Sequence, residues 1–153
     1  MFEEIIRNHS IKDLITGQTA PLFPPAADRA AWEGLPAEKR QALRRLAESW
    51  RGEAYPPLLA SQFMAFGRAG DRVRYEAPYF ARRRKLCAAV LGACVTGGMG
   101  DLDDVIDGIW LICEESSWVI SAHNGSDHPG VPPASERLLP DVANPYVDLF
   151  AAQ

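Results

Sequence analysis

The residues best equipped for chemistry stand close together at positions 114–124 of this 153-residue chain: Glu114, Glu115, Ser116, Ser117, Trp118, His123 and Asn124. Two adjacent carboxylates follow an apolar helical stretch, where the helix dipole is already negative, so they need an arginine partner or belong to a site. Trp118 offers a flat apolar face on which a sugar ring could stack. His123 can donate or accept a proton, and the Asn124 amide can neutralise a carboxylate or hold a hydroxyl. Residue chemistry alone favours a plainer account: a solvated helix end, a core tryptophan and a capping asparagine.

Other clusters carry weaker signals. The run Arg82, Arg83, Arg84 and Lys85 falls on a helix, so its members point in different directions. It reads first as a solvated face; the functional reading has Arg83 or a neighbour meeting an acid such as Glu114. Metal binding by His123, Asp127 and His128 lacks the supporting partners that fix ligand orientation, and no metal is expected. Cys87, Cys94 and Cys113 form no Cys-x-x-Cys pair and read as buried free thiols, which suits a reducing compartment. Asn124-Gly125-Ser126 fits a glycosylation sequon. There is no Gly-rich phosphate loop and no nucleophile elbow, and no cofactor is implied.

The elements that must position these residues are helices. Apolar residues recur at helical spacing over 2–15, and residues 16–27 are a proline-containing connection, with a short helical turn around Trp32. Pro36 opens a helix with the stripe Leu43, Leu46, Ala47 and Trp50, ending at Gly52. Tyr55-Pro56-Pro57 is a stiff corner, and Leu59, Phe63 and Phe66 mark a shorter helix closing near Gly67 or Gly70. Residues 71–76 read as a connection and Pro78 as the next helix start, running to Gly97-Gly98. Asp101 can cap the helix after it, whose buried stripe is expected to be Val105, Ile106, Ile109, Trp110 and Cys113. Residues 125–140 form a long Gly/Pro/Ser-rich loop, and Asn144-Pro145 restarts a helix that runs into the C-terminus. The pattern is all-α: antiparallel helical hairpins in one domain over 1–153, with the apolar end at Gln153 reading as part of a longer fold.

Composition narrows the function. The hydrophobic share of 47% and charged share of 24% are those of a globular protein, and a net charge of −4 gives no general attraction to nucleic acid or anionic lipid. The N-terminus carries Glu3 and Glu4 where a signal peptide needs basic residues, and the most apolar run, 86–95, is too short to span a bilayer. The expectation is a cytoplasmic chain with no nucleic-acid and no membrane partner.

Several short motifs also stand in a familiar order. Tyr55-Pro56-Pro57-Leu58-Leu59-Ala60-Ser61 leads to Phe66-x-Arg68-x-Gly70-Asp71-Arg72 and then Tyr75-Glu76-Ala77-Pro78-Tyr79-Phe80-Ala81-Arg82-Arg83. Asp107-Gly108-Ile109-Trp110 continues into Ile112-Cys113-Glu114-Glu115-Ser116-Ser117-Trp118 and Ala122-His123-Asn124. Leu139-Pro140-Asp141 and Asp148-Leu149-Phe150-Ala151-Ala152 complete the series. Together they resemble the N-terminal region of bacterial heparinase II/III-like proteins, a branch of the polysaccharide lyases. The resemblance covers roughly residues 30–153.

What the resemblance implies is an α/α toroid followed by a β-sandwich, acting on uronic-acid-containing glycans by β-elimination. An amide or histidine neutralises the uronate, and a tyrosine or histidine removes the acidified C5 proton. His123 and Asn124 would take the neutralising role. Trp118, Glu114, Glu115 and Arg83 would contact an acidic oligosaccharide or polysaccharide, and the base would lie in the remainder of the parent chain. Such a fragment is expected to be inactive alone. Two other readings remain open: a non-catalytic helical module that binds a saccharide or a protein, and a glycoside hydrolase on the same toroid using Glu114 or Glu115.

Overall fold

The computed structural model describes residues 23–98, 102–124 and 138–140. The expected helices at 2–15 and after Pro145, the cap at Asp101, and Asp127 and His128 lie outside the described residues. The chain divides into two compact units, Met1–Gly34 and Leu35–Gln153. Among the described residues every regular element is helical, and no helix is long and apolar enough to cross a membrane.

In the first unit, α1 (Arg29–Glu33) starts at Asp28, whose carboxylate accepts a hydrogen bond from the Ala31 N–H. Trp32 is buried, and its indole N–H donates to the Pro25 carbonyl over 3.1 Å.

The second unit is built on one long helix. α2 (Ala37–Glu48), α3 (Ala60–Ala69) and α5 (Leu102–Cys113) each pack against α4 (Val73–Thr96). Glycines close α3 and α4: Gly70 and Gly97 both take the left-handed conformation, which a Cβ disfavours. The start of α4 differs from the sequence expectation. Asp71 accepts from the Arg74 N–H over 3.1 Å and Arg72 pairs with Glu76, so the helix begins at Val73 and Pro78 sits inside it. The proline is tolerated close to the first turn, where it removes a single intrahelical bond.

α4 buries one face along its length: Tyr75, Tyr79, Arg82, Lys85, Ala88, Ala89, Gly92 and Val95. Gly92 lets α2 approach closely, since a Cβ there would lie 2.5 Å from that of Ala47. Gly108 does the same between α5 and α4, facing the Tyr55 hydroxyl and Leu86. Phe63, Tyr75, Tyr79 and Ile120 form the core cluster, with Leu58, Phe80 and Ala122 against it. The Phe63 and Tyr75 rings meet edge to face, with centroids 5.0 Å apart.

Three expectations are overturned here. The run 82–85 is no solvated face: Arg82 and Lys85 are buried, and Arg84 alone of the four is exposed. Most of the expected stripe of α5 faces outward: Ile106, Ile109, Trp110 and Cys113 are exposed, Val105 is half-buried, and Gly108 is the helix's buried residue. Cys87 and Cys113 are exposed and Cys94 is half-buried, all three as free thiols. In α2, Leu46 also faces outward.

The reason lies in unpaired carbonyls. The irregular stretch before α3 and the last turn of α5 present C=O groups that no helical N–H can reach. Arg82 and Lys85 supply the missing donors. Arg82 Nε donates to the Pro56 carbonyl over 2.7 Å and Nη1 to the Leu111 carbonyl over 3.2 Å. Lys85 Nζ donates to the Glu53 carbonyl, pairs with Asp104 at 2.8 Å, and lies 4.3 Å from the centre of the Tyr55 ring.

Candidate functional site

Glu115 is the anchor of the site. Its side chain is 1% exposed, yet it carries a carboxylate, and α4 brings two guanidinium groups to it. Arg83 engages it with both terminal nitrogens, Nη2 to Oε2 at 2.7 Å and Nη1 to Oε1 at 3.3 Å, and Arg82 adds a 3.5 Å contact. The Arg83 guanidinium also stacks over the Tyr79 ring, 3.4 Å from its centroid. The two cations relieve the unfavourable placement of an acid beyond a helix C-terminus.

The chain beyond Glu115 is pinned against this frame. The Trp118 indole N–H donates at 3.0 Å to the Ile112 carbonyl, which also accepts from the Glu115 N–H at the end of α5. The Tyr79 hydroxyl donates to the Trp118 carbonyl at 3.3 Å. A single 3-10 turn (Ser121–His123) follows and packs on α3. Asn124 is buried, and its Nδ2 donates to the Leu139 carbonyl at 2.9 Å, which ties residues 138–140 back to the turn. His123 is half-buried.

A cavity of about 400 Å³ opens beside Glu115. Leu58, Phe63, Leu111 and Pro140 give it apolar walls; Tyr75, Arg82, Glu114, Glu115, Ser116 and Ser117 give it polar ones. Trp118, His123, Asn124 and Arg83 are not among its lining residues. Of the expected site residues, Glu114 and Glu115 line this cavity, while Trp118 and Asn124 bond to backbone carbonyls of Ile112 and Leu139. Glu114 is exposed and accepts from the Trp110 indole N–H at 2.6 Å. Ser117 Oγ accepts from the Val119 N–H at 3.1 Å.

Two groups lining the cavity have hydrogen-bonding capacity left over. Tyr75 is 5% exposed and lines the cavity, and its hydroxyl has no hydrogen-bond partner among the described residues. Burial, followed by the nearby Glu115 charge, pushes its pKa up to about 12. At neutral pH it is a neutral phenol that donates, and it is poorly suited to abstract a proton. Arg82 keeps Nη2 without a partner among the described residues. A guanidinium N–H, a phenol, serine hydroxyls and a carboxylate against apolar walls can hold a polyhydroxylated ring or its carboxylate. Among the described residues no group of three side chains is placed to hold a metal ion.

No family model matches the chain, and no curated protein matches it.

Sequence reasoning missed Tyr75 and Arg82. They are seven positions apart on one helix, two turns along the same face, and that spacing was the available signal. It was obscured because Arg82 reads as one member of a basic run, and because residues 71–76 read as a connection.

Proposed function

We propose that the chain is a saccharide-binding helical unit, the N-terminal helical part of a heparinase II/III-like protein that acts on uronic-acid-containing glycans. The observation that carries the reading is the cavity beside Glu115, where a buried tyrosine and arginine present donors that no described residue engages, among apolar walls. The ordered motifs from Tyr55 to Asn124 add to it, and so do the successive helices, which suit a toroid segment. In this reading a sugar ring rests against Leu58 and Pro140, its carboxylate meets Arg82 and Tyr75, and its hydroxyls meet Ser116 and Glu114. Asn124 and Trp118 shape the wall. The proton-abstracting base is supplied from elsewhere in the parent protein, because Tyr75 stays protonated.

The test is calorimetric titration with uronate-containing oligosaccharides and with neutral oligosaccharides of the same length. Binding of the uronates, weakened about tenfold by Tyr75→Phe and again by Ser116→Ala, is expected, in line with about 1.4 kcal/mol for each lost contact. Equal affinity for neutral sugars, or no effect of either variant, would sink the reading. With the parent protein, growth of the ultraviolet absorbance of unsaturated uronate separates elimination from hydrolysis, which leaves no double bond.

A further inference from the structure

The outer face of α5 has a composition that the fold does not use. Ile106, Ile109, Trp110 and Cys113 follow the i, i+3, i+4, i+7 spacing of one helical stripe, and all four are exposed. Ile106 is 57%, Ile109 51% and Trp110 65% exposed, so half or more of each side chain faces water. Single exposed apolar residues are ordinary; a contiguous stripe with a tryptophan in it marks an interaction surface. The Trp110 indole is already oriented by its 2.6 Å bond to Glu114, so little freedom is lost when it is covered.

Charge settles what covers it. Asp103, Asp107 and Glu114 are exposed and align along one edge of the stripe, next to Trp110, and α5 contains no basic residue. Asp104 is turned to the other side, where Lys85 neutralises it. Antiparallel pairing with the same helix of a second copy would set this acidic edge against itself, a like-charge contact that disfavours a twofold dimer. We propose that the outer face of α5 is a docking surface for an amphipathic helix of another protein whose apolar stripe is edged by Lys or Arg. Glu114 borders both this face and the cavity, but Ile106, Ile109, Trp110 and Cys113 line only the face, and the proposal does not depend on the saccharide reading.

Two synthetic helical peptides of about 18 residues, long enough to hold a helix, provide the probe. Both carry the same leucine stripe; one has lysines along the edge and the other glutamates. The lysine peptide is expected to bind the full chain, with amide shifts mapping to residues 103–114 and affinity falling as salt rises. The glutamate peptide is expected to bind at least about tenfold more weakly. Trp110→Ala with Ile106→Ala should abolish binding while the circular dichroism spectrum stays that of the parent chain. Asp103→Asn with Asp107→Asn should remove most of the salt dependence. Equal binding of the two peptides, shifts mapping elsewhere, or undiminished binding by the Trp110 and Ile106 variant would overturn the proposal. So would a dimer in sedimentation velocity that Trp110→Ala dissolves, since the face would then belong to a second copy.

Discussion

α4 and α5 lie against each other and treat their side chains in opposite ways. α4 buries Arg82 and Lys85, whereas α5 exposes two isoleucines and a tryptophan. Hydropathy would have ranked the faces the other way round. The difference teaches that burial follows what the neighbouring backbone lacks. α4 runs past a proline-rich corner and a helix end whose carbonyls need donors, and long cationic side chains deliver N–H groups there while packing their methylene stems. α5 meets α4 closely at Gly108, with Leu102, Val105, Leu111 and Ile112 half-buried around it, and leaves Ile106, Ile109 and Trp110 facing outward.

If the buried charges of α4 are structural, removing their partner must be the most damaging change. Glu115→Ala leaves two guanidinium groups beside an emptied, buried position, and a loss of about 3–5 kcal/mol is expected in denaturant unfolding. A loss below about 1 kcal/mol, the value of an exposed pair, would mean that the clasp is ornamental. The close approach of α2 to α4 ranks next. Gly92→Ala gains about 1 kcal/mol of helix propensity, but its methyl would meet that of Ala47, which has no rotamer to move to. We expect a net destabilisation of about 1–3 kcal/mol, recovered in large part by adding Ala47→Gly.

Alkaline pH sharpens the comparison from the cavity side. The Tyr75 pKa is raised in the folded state to about 12 from the ordinary 10, so the folded protein favours the neutral phenol. The stabilisation is complete below pH 10 and is lost as pH rises through the folded value, which places the fall between pH 10 and 12. Tyr55 shares the direction, raised to about 12 by burial and then by the charges of Asp104 and Asp107. Thermal melts at pH 9 and pH 11 should show a smaller loss for Tyr75→Phe than for the parent chain. The smallest effect is expected on α5: Trp110→Ala should change stability by no more than about 0.5 kcal/mol despite removing the largest apolar side chain of that helix.

The all-α architecture was legible in the sequence because Gly52, Gly70 and Gly97 punctuate it, each with positive φ, and because the apolar spacing between them is helical. The stretch 114–124 was legible as a place of interest, since two acids after a helix demand compensation. What could not be read was the direction each helix faces. That depends on neighbours far along the chain: Glu115 meets residues more than thirty positions earlier, and Arg82 serves Pro56 and Leu111 at once. Periodicity finds a stripe but does not say whether protein or water lies over it. The cavity was hidden for the same reason, as Tyr75 and Ser116 are brought together only when α4 and the end of α5 dock.

The Glu115 clasp also works as an angular gauge. Consecutive residues on a helix diverge by about 100°, so one carboxylate reaches both Arg82 and Arg83 only when it lies over the gap between them. Rolling α4 either way would lose one of the two contacts. A single residue inserted or deleted between Tyr75 and Arg82 would turn Tyr75 by about 100° relative to both guanidinium groups, so the carboxylate and the phenol could no longer be served together. The length of that first part of α4 is therefore as tightly specified as any side chain lining the cavity.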